Sequence, residues 1–276
     1  MAFFRRGNAR IHFDENGRGE PVIAVHGLIE NTRYWKRVAD ILGGRVRFIS
    51  MDMRAHGNTI VYGEPAGYDA QTIGEDIMAL ADHLGIHRFH LLTHSTGGFA
   101  AVRHAMKACS RFKSLILTNT GSATAPVPAD PESIRIYNDK FAAWFERYDW
   151  DLIAAGLKMK PGPFFRGIVE SEASDELMAR ACEMMKAGDR NTIAAFIRSF
   201  YIDPDPCVEG LRKISCPVLV ITGEKDDLFL ESSRLMAREI PGARLIEYQG
   251  AGHMTALEIP ELLAEDLIVF IEANRG

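Results

Sequence analysis

The sequence predicts an α/β fold: a mostly parallel sheet flanked by helices, interrupted once by a helical insertion. Three observations carry this. Short apolar runs alternate with helical segments through residues 1–120 and again through 207–276. Most of those runs are apolar throughout rather than at every second residue, as strands buried on both faces require. Between 121 and 206 the alternation stops and the pattern is helical, with Pro126, Pro128 and Pro131 at its start and Pro204 and Pro206 at its end. The expected division is a core of 1–120 and 207–276 and a helical cap of 121–206.

Each element has its own reason. The first twenty or so residues alternate as an antiparallel hairpin does, with Asn16-Gly17 and Gly19 as turn signals. Pro21 to His26 reads as a buried strand ending at Gly27. A helix is expected from Arg33 to Leu42, closed by Gly43-Gly44. Val46 to Met51 is the next strand. Thr72 to Leu84 is an amphipathic helix with Ile73, Ile77, Leu80 and Leu84 on one face and Gly85 as its stop. Phe89 to Thr93 and Ser114 to Thr118 are strands, with a helix between them. After the insertion come strand Pro217–Thr222, helix Glu231–Ile240, strand Ala243–Tyr248 and helix Pro260–Ala273.

The bulk numbers bound the function. The chain has 276 residues, 47% hydrophobic and 25% charged, with net charge −5 and scattered basic residues. That is a globular composition without the basic patch of a nucleic-acid binder. No apolar run reaches the ~18 residues of a membrane helix. The start, Met1 to Arg6, lacks the apolar stretch of a signal peptide. Cys109, Cys182, Cys207 and Cys216 show neither CxxC nor metal-site spacing. A reduced, cytoplasmic protein with free thiols and no metal is expected. A homodimer is left open.

The chemistry concentrates at Phe89 to Gly98. An apolar strand runs into Ser95 and on into a helix, Phe99 to Ala105. This is the layout of a nucleophile elbow, a sharp turn that exposes a serine hydroxyl and needs small residues two positions either side. Thr93 and Gly97 stand there. Gly97-Gly98 lacks the lysine and glycine spacing of a phosphate loop.

A serine needs a base, and the base needs a group that fixes its tautomer. Strand Pro217–Thr222 is followed by Gly223-Glu224-Lys225-Asp226-Asp227, and strand Ala243–Tyr248 by Gln249-Gly250-Ala251-Gly252-His253. Parallel strands deliver such loops to one edge of the sheet, so Ser95, Asp226 and His253 can meet there.

With these motifs the chain resembles the α/β-hydrolase superfamily. The matching residues are His26-Gly27, Asp52-Met53-Arg54-Ala55-His56-Gly57, Thr93 to Gly98, the acid and histidine loops, and Glu258-Ile259-Pro260-Glu261. Thr93 and Ala55 stand where the family has glycine. The resemblance implies an α/β-hydrolase fold with a mostly parallel eight-stranded sheet. It implies Ser95 as nucleophile, His253 as base and Asp226, rather than Asp227, as the acid. It also implies an oxyanion hole of the Leu28 and Thr96 N–H groups. His26, Arg54 and His56 are expected to shape the surrounding loops.

The expected function is a cofactor-free serine hydrolase acting on an ester or lactone of an apolar or aromatic small molecule. The alternatives are a carbon–carbon bond hydrolase with the same triad, a cofactor-free dioxygenase, and a ligand-binding receptor on a hydrolase scaffold. Serine at the elbow argues against haloalkane dehalogenase and epoxide hydrolase chemistry. His94, Trp144, Tyr148 and Met254 are candidate substrate contacts. The spacing of Phe141, Trp144, Phe145 and Tyr148 suits either a packing stripe or a pocket wall.

Overall fold

A computed structural model describes residues 1–126 and 130–276. Residues 127–129, including Pro128 of the expected cap border, lie outside the described residues. In chain order the strands are β1 (Ala2–Arg6), β2 (Ala9–Gly17), β3 (Glu20–Val25), β4 (Val46–Met51), β5 (Ile60–Val61), β6 (Phe89–His94), β7 (Phe112–Thr118), β8 (Val218–Gly223) and β9 (Arg244–Tyr248). The helices of the core are α1 (Lys36–Leu42), α2 (Ala70–His83) and α3 (Thr96–Ala105). A 3-10 turn, Thr32–Trp35, precedes α1. Helices α4 (Pro131–Arg147), α5 (Trp150–Met159), α6 (Gly162–Val169), α7 (Ser174–Lys186) and α8 (Arg190–Phe200) lie between β7 and β8. They are followed by α9 (Val208–Leu211), α10 (Leu230–Glu239), α11 (Thr255–Glu258) and α12 (Pro260–Ala273).

The sheet runs β1-β2-β4-β3-β6-β7-β8-β9. From β4 to β9 every neighbouring pair is parallel, while β1 and β2 form an antiparallel edge. The two-residue β5 adds a ninth strand against Ala9 and Arg10 of β2. The hairpin turns at Gly7, between β1 and β2, rather than at Asn16–Gly19. The latter segment instead carries the chain past β4 to β3. A Cβ on Gly17 would sit 2.3 Å from the Val46 carbonyl oxygen. The turn residues there serve close backbone approach, not strand reversal.

Both faces of the sheet are covered. Ile23 and Val25 of β3, with Leu91, Leu115 and Leu117, pack into one core with Ile73, Ile77 and Leu80 of α2. Val22, Ala24, Leu92, Ile116 and Leu219 enter a second with Val38 of α1 and Leu263 and Leu267 of α12. Successive strand residues point to opposite faces, so an entirely apolar strand fills both. Ala142, Phe145, Ile153, Ile193, Ala194 and Ile197 form a separate cluster within α4, α5 and α8. Among the described residues, no helix is long and apolar enough to cross a membrane.

Candidate active site

Ser95 lies at the end of β6 with φ 46° and ψ −114°, a strained conformation for a residue with a Cβ. Its surroundings hold it there. The Ser95 N–H donates to Thr118 O at 3.0 Å and the Gly97 N–H to His26 O at 3.1 Å. Thr120 Oγ1 donates to Ser95 O at 2.6 Å. A Cβ on Gly97 would stand 2.7 Å from His26 O, and one on Gly98 would stand 2.5 Å from the Thr120 side chain. Thr93 is accommodated because its hydroxyl donates to Ile116 O at 3.2 Å within the sheet. Ala55, the other departure from glycine, has φ 69°, which glycine would adopt without strain.

The acid and histidine loops converge beside this turn. His253 Nδ1 is 3.0 Å from Asp226 Oδ2. Asn119, at the end of β7, donates from Nδ2 to the same Asp226 oxygen and to Gly252 O, each at 3.0 Å, and accepts from Thr255 Oγ1 at 2.9 Å. Asn119 thus ties the two loops together; nothing in its sequence context singled it out. Asp227 is exposed and pairs with Arg166 at 2.8 Å. Burial raises the Asp226 carboxyl, but His253 and Asn119 outweigh it and hold the pKa below the usual carboxylate value. Burial likewise opposes the His253 imidazolium. Asp226, then Glu30 and Glu258, reverse that and raise its pKa. Ser95 and His253 line one small chamber. Among the described residues no hydrogen bond joins Ser95 Oγ to His253, a looseness common before substrate binds.

Backbone donors around the elbow are mostly taken. Gly27 N–H donates to Glu30 Oε2 at 2.6 Å, Gly97 N–H to His26 O and Gly98 N–H to Ser95 O. Among the described residues the N–H groups of Leu28 and Thr96 have no protein acceptor. Both residues adjoin Ser95's chamber, Leu28 in its lining and Thr96 as the next residue in the chain. His26 frames this turn: its Nδ1 bonds Gly27 O at 2.8 Å and its Nε2 accepts from Met53 N–H at 3.1 Å.

His94 is fully buried and lines neither chamber at Ser95. Its strand places it behind the wall, where Nε2 meets Glu30 Oε1 at 3.1 Å. Its ring stacks on Tyr34 at 4.5 Å and lies 4.7 Å from the His253 ring. The expected substrate contact is therefore a buried partner of Glu30, a residue the sequence did not single out. Trp144 and Met254 do line the small chamber. Tyr148 lines neither chamber and packs with the α4–α8 cluster.

Two cavities flank Ser95. The smaller, about 70 Å³, is lined by Leu28, Ile29, Glu30, Phe141, Trp144, Phe164, His253 and Met254, among others. The larger, about 370 Å³, is lined by Leu28, Phe99, Tyr137, Asn138, Phe141, Phe164, Tyr201, Phe229 and Ser232, among others, with no charged side chain among the described residues of its lining. Phe164 and Phe229 set their rings 5.0 and 5.3 Å from that of His253. Tyr201 reaches across from the end of α8, its hydroxyl 2.6 Å from Thr96 Oγ1. Among the described residues, no cluster of three or more His, Cys, Asp and Glu could hold a metal ion.

The sheet order and the elbow define an α/β-hydrolase architecture. A family model described as the alpha/beta hydrolase fold matches residues 20–260, and the chain belongs to that family. It is 26% identical to a non-heme chloroperoxidase of Kitasatospora aureofaciens, over 96% of this chain and 97% of that protein. It is also 26% identical to a putative carbamate hydrolase of Agrobacterium fabrum, over 95% and 98%. Its fold matches that of a thermophilic esterase from Thermogutta terrifontis with a TM-score of 0.83 at 24% identity, covering 97% of this chain and 95% of that one. The family and these relatives make it a hydrolase-family enzyme.

Proposed function

We propose that the protein is a serine hydrolase that cleaves an ester or lactone of a neutral, apolar small molecule through an acyl-enzyme. One observation carries this reading: Ser95, on a strained turn, shares a chamber with His253, whose far nitrogen is 3.0 Å from a buried carboxylate. Ser95 Oγ attacks the carbonyl carbon while His253 Nε2 takes its proton. The carbonyl oxygen becomes an anion received by the Leu28 and Thr96 N–H groups. One such donor is typically worth about 3 kcal/mol of barrier. Collapse of the tetrahedral adduct breaks the acyl–oxygen bond, and His253 returns the proton to the departing alcohol. Water, deprotonated by His253, then attacks the acyl carbon and releases Ser95. Asp226 keeps the His253 Nδ1 protonated and stabilises the imidazolium. No cofactor enters these steps.

The cavities bear on the substrate. The departing oxygen must face His253, which places the leaving group in the small chamber and the acyl group in the uncharged chamber of about 370 Å³. The site thus suits a bulky neutral acyl group and a small alcohol. The four free cysteines fit action in a reducing, cytoplasmic setting.

Intact-protein mass spectrometry after fluorophosphonate treatment tests the reading. A single adduct is expected, mapped to Ser95 and absent in a folded Ser95→Ala variant, whose turnover of a p-nitrophenyl ester falls about a millionfold in kcat. Folded wild-type protein without an adduct at Ser95 would sink the acyl-enzyme.

A further inference from the structure

We propose, resting on the preceding reading, that Glu30 is a positioning residue of this site: its buried carboxylate straps the oxyanion turn to the nucleophile elbow and serves His253 as a second carboxylate beside Asp226. Glu30 lies two residues after Leu28 and is 3% exposed. A carboxylate so buried is costly unless its oxygens find polar partners. Its two oxygens are divided between two catalytic elements. Oε2 accepts from Gly27 N–H at 2.6 Å, in the turn that carries the Leu28 N–H. Oε1 meets Nε2 of His94, the residue before Ser95, at 3.1 Å.

The backbone records the strap. Ile29, between Leu28 and Glu30, has φ 58°, a left-handed conformation that a β-branched residue avoids. Folding the Glu30 side chain back onto Gly27 is what this turn accomplishes. The packing is close enough that a Cβ on Gly27 would lie 3.0 Å from both His94 Cδ2 and Ser95 Cβ, and 3.1 Å from Glu30 Oε2. A loosened Glu30 would free the oxyanion turn and the floor of the elbow together.

Glu30 also faces the base. It lines the small chamber with His253, and its partner His94 lies with its ring 4.7 Å from that of His253. The titratable and charged groups around His253 are Asp226 from the loop after β8, Glu258 from α11, Glu30 from the oxyanion turn and His94 from β6. Burial holds His94 below the ordinary imidazole value despite Glu30, so it is neutral. Burial opposes the Glu30 charge, but His94 and the Gly27 N–H keep its pKa below the ordinary value, so it is ionised. The pair therefore presents a net negative charge to His253. Glu258 accepts from the Gly252 and Met254 N–H groups at 2.6 and 2.8 Å, yet burial raises its pKa. Both Glu30 and Glu258 raise the His253 pKa, Glu30 the more, and of the two Glu30 is the one whose own pKa is lowered.

Two substitutions separate the charge from the strap. Glu30→Gln keeps an acceptor for Gly27 and, with the His94 tautomer reversed, a donor for His94, but removes the charge. Glu30→Asp keeps the charge and shortens the reach. The readouts are NMR titration of the His253 ring protons, which needs no turnover, and kcat and KM against pH on a p-nitrophenyl ester. The base works neutral, so rate falls as pH drops through the His253 pKa, which lies above the ~6.5 of a free imidazole. Glu30→Gln is expected to move both the NMR titration and the acid limb of kcat/KM down by about one pH unit. Glu30→Asp is expected to leave the acid limb in place and lower the plateau kcat about tenfold with little change in KM. An unmoved His253 titration in Glu30→Gln, or an unmoved plateau kcat in Glu30→Asp, would overturn the proposal. A shifted titration in a protein whose Ser95 takes no fluorophosphonate would leave the charge role standing and remove the hydrolytic reading instead.

Discussion

The two walls of the site are built differently. On the sheet side stand Ser95, Asp226, His253 and, around them, Asn119, Glu30 and His94, all buried and polar; hydrogen bonds join Asp226 to His253 and Asn119, and Glu30 lies 3.1 Å from His94. On the side of α4–α8 stand Phe141, Trp144, Phe145, Leu157, Phe164 and Phe165, with Tyr137, Asn138 and Tyr201 as polar neighbours. A reacting group must be held within a fraction of an ångström and in one protonation state. A wall need only exclude water and fill volume. The sheet side should therefore control kcat and the α4–α8 side should control KM and the choice of substrate.

The largest effect after loss of the proposed nucleophile belongs to the sheet side. Asp226→Asn retains the volume but removes the charge that stabilises the His253 imidazolium, and lets the amide favour the wrong imidazole tautomer. A fall in kcat of about 10⁴-fold is expected, with KM little changed. Steady-state kinetics on one ester, with circular dichroism to confirm folding, checks it. A loss below about tenfold would mean that Asp226 is not the group that orients the base.

Phe164→Ala probes the opposite wall. Its ring lines both chambers and lies 5.0 Å from His253, yet it contributes no hydrogen bond to the site. KM for a bulky neutral ester should rise about tenfold while kcat stays within roughly threefold, the scale of lost apolar contact in a pocket. An equal fall in kcat would break the division, because the ring would then be orienting His253 rather than substrate.

The same division explains what could be read in the sequence. β4 (Val46–Met51) and α12 (Pro260–Ala273) have the bounds the pattern predicts, since apolar periodicity and an N-terminal proline mark them locally. The family resemblance preferred Asp226 to Asp227, and among the described residues it is Asp226 that lies against His253 while Asp227 pairs with Arg166. Glu30 and Asn119 were hidden because their partners, His94 and Asp226, lie 64 and 107 positions away. A loop glutamate with no periodic context carries no signal of burial. His94 was misplaced for a related reason. Adjacency to Ser95 suggests exposure, but the last residue of a central strand lies beneath the turn it feeds. The hairpin turn was misplaced because Asn16–Gly19 has turn chemistry, and only pairing with β4 decides that the chain there crosses instead of folding back.

Tyr201, on the α4–α8 side, tests whether the division is complete, and its effect should be the smallest. It follows α8, and its carbonyl accepts from Asn138 Nδ2 at 2.6 Å, so two of the polar groups on that side belong to one connection. Its hydroxyl lies 2.6 Å from Thr96 Oγ1, on the residue whose N–H is proposed to receive the oxyanion. Tyr201→Phe removes that pairing and leaves the Thr96 hydroxyl to turn elsewhere, costing about 1 kcal/mol of stability. The Thr96 backbone is fixed independently by Ser95 and Gly97, which are bonded to β7 and His26. Kcat should therefore fall only about twofold to threefold, with a visible drop in melting temperature by calorimetry. A kcat loss beyond about tenfold at unchanged KM would show that the Tyr201 hydroxyl helps place the proposed oxyanion donor, so that the α4–α8 side sets more of the chemistry than its apolar wall suggests.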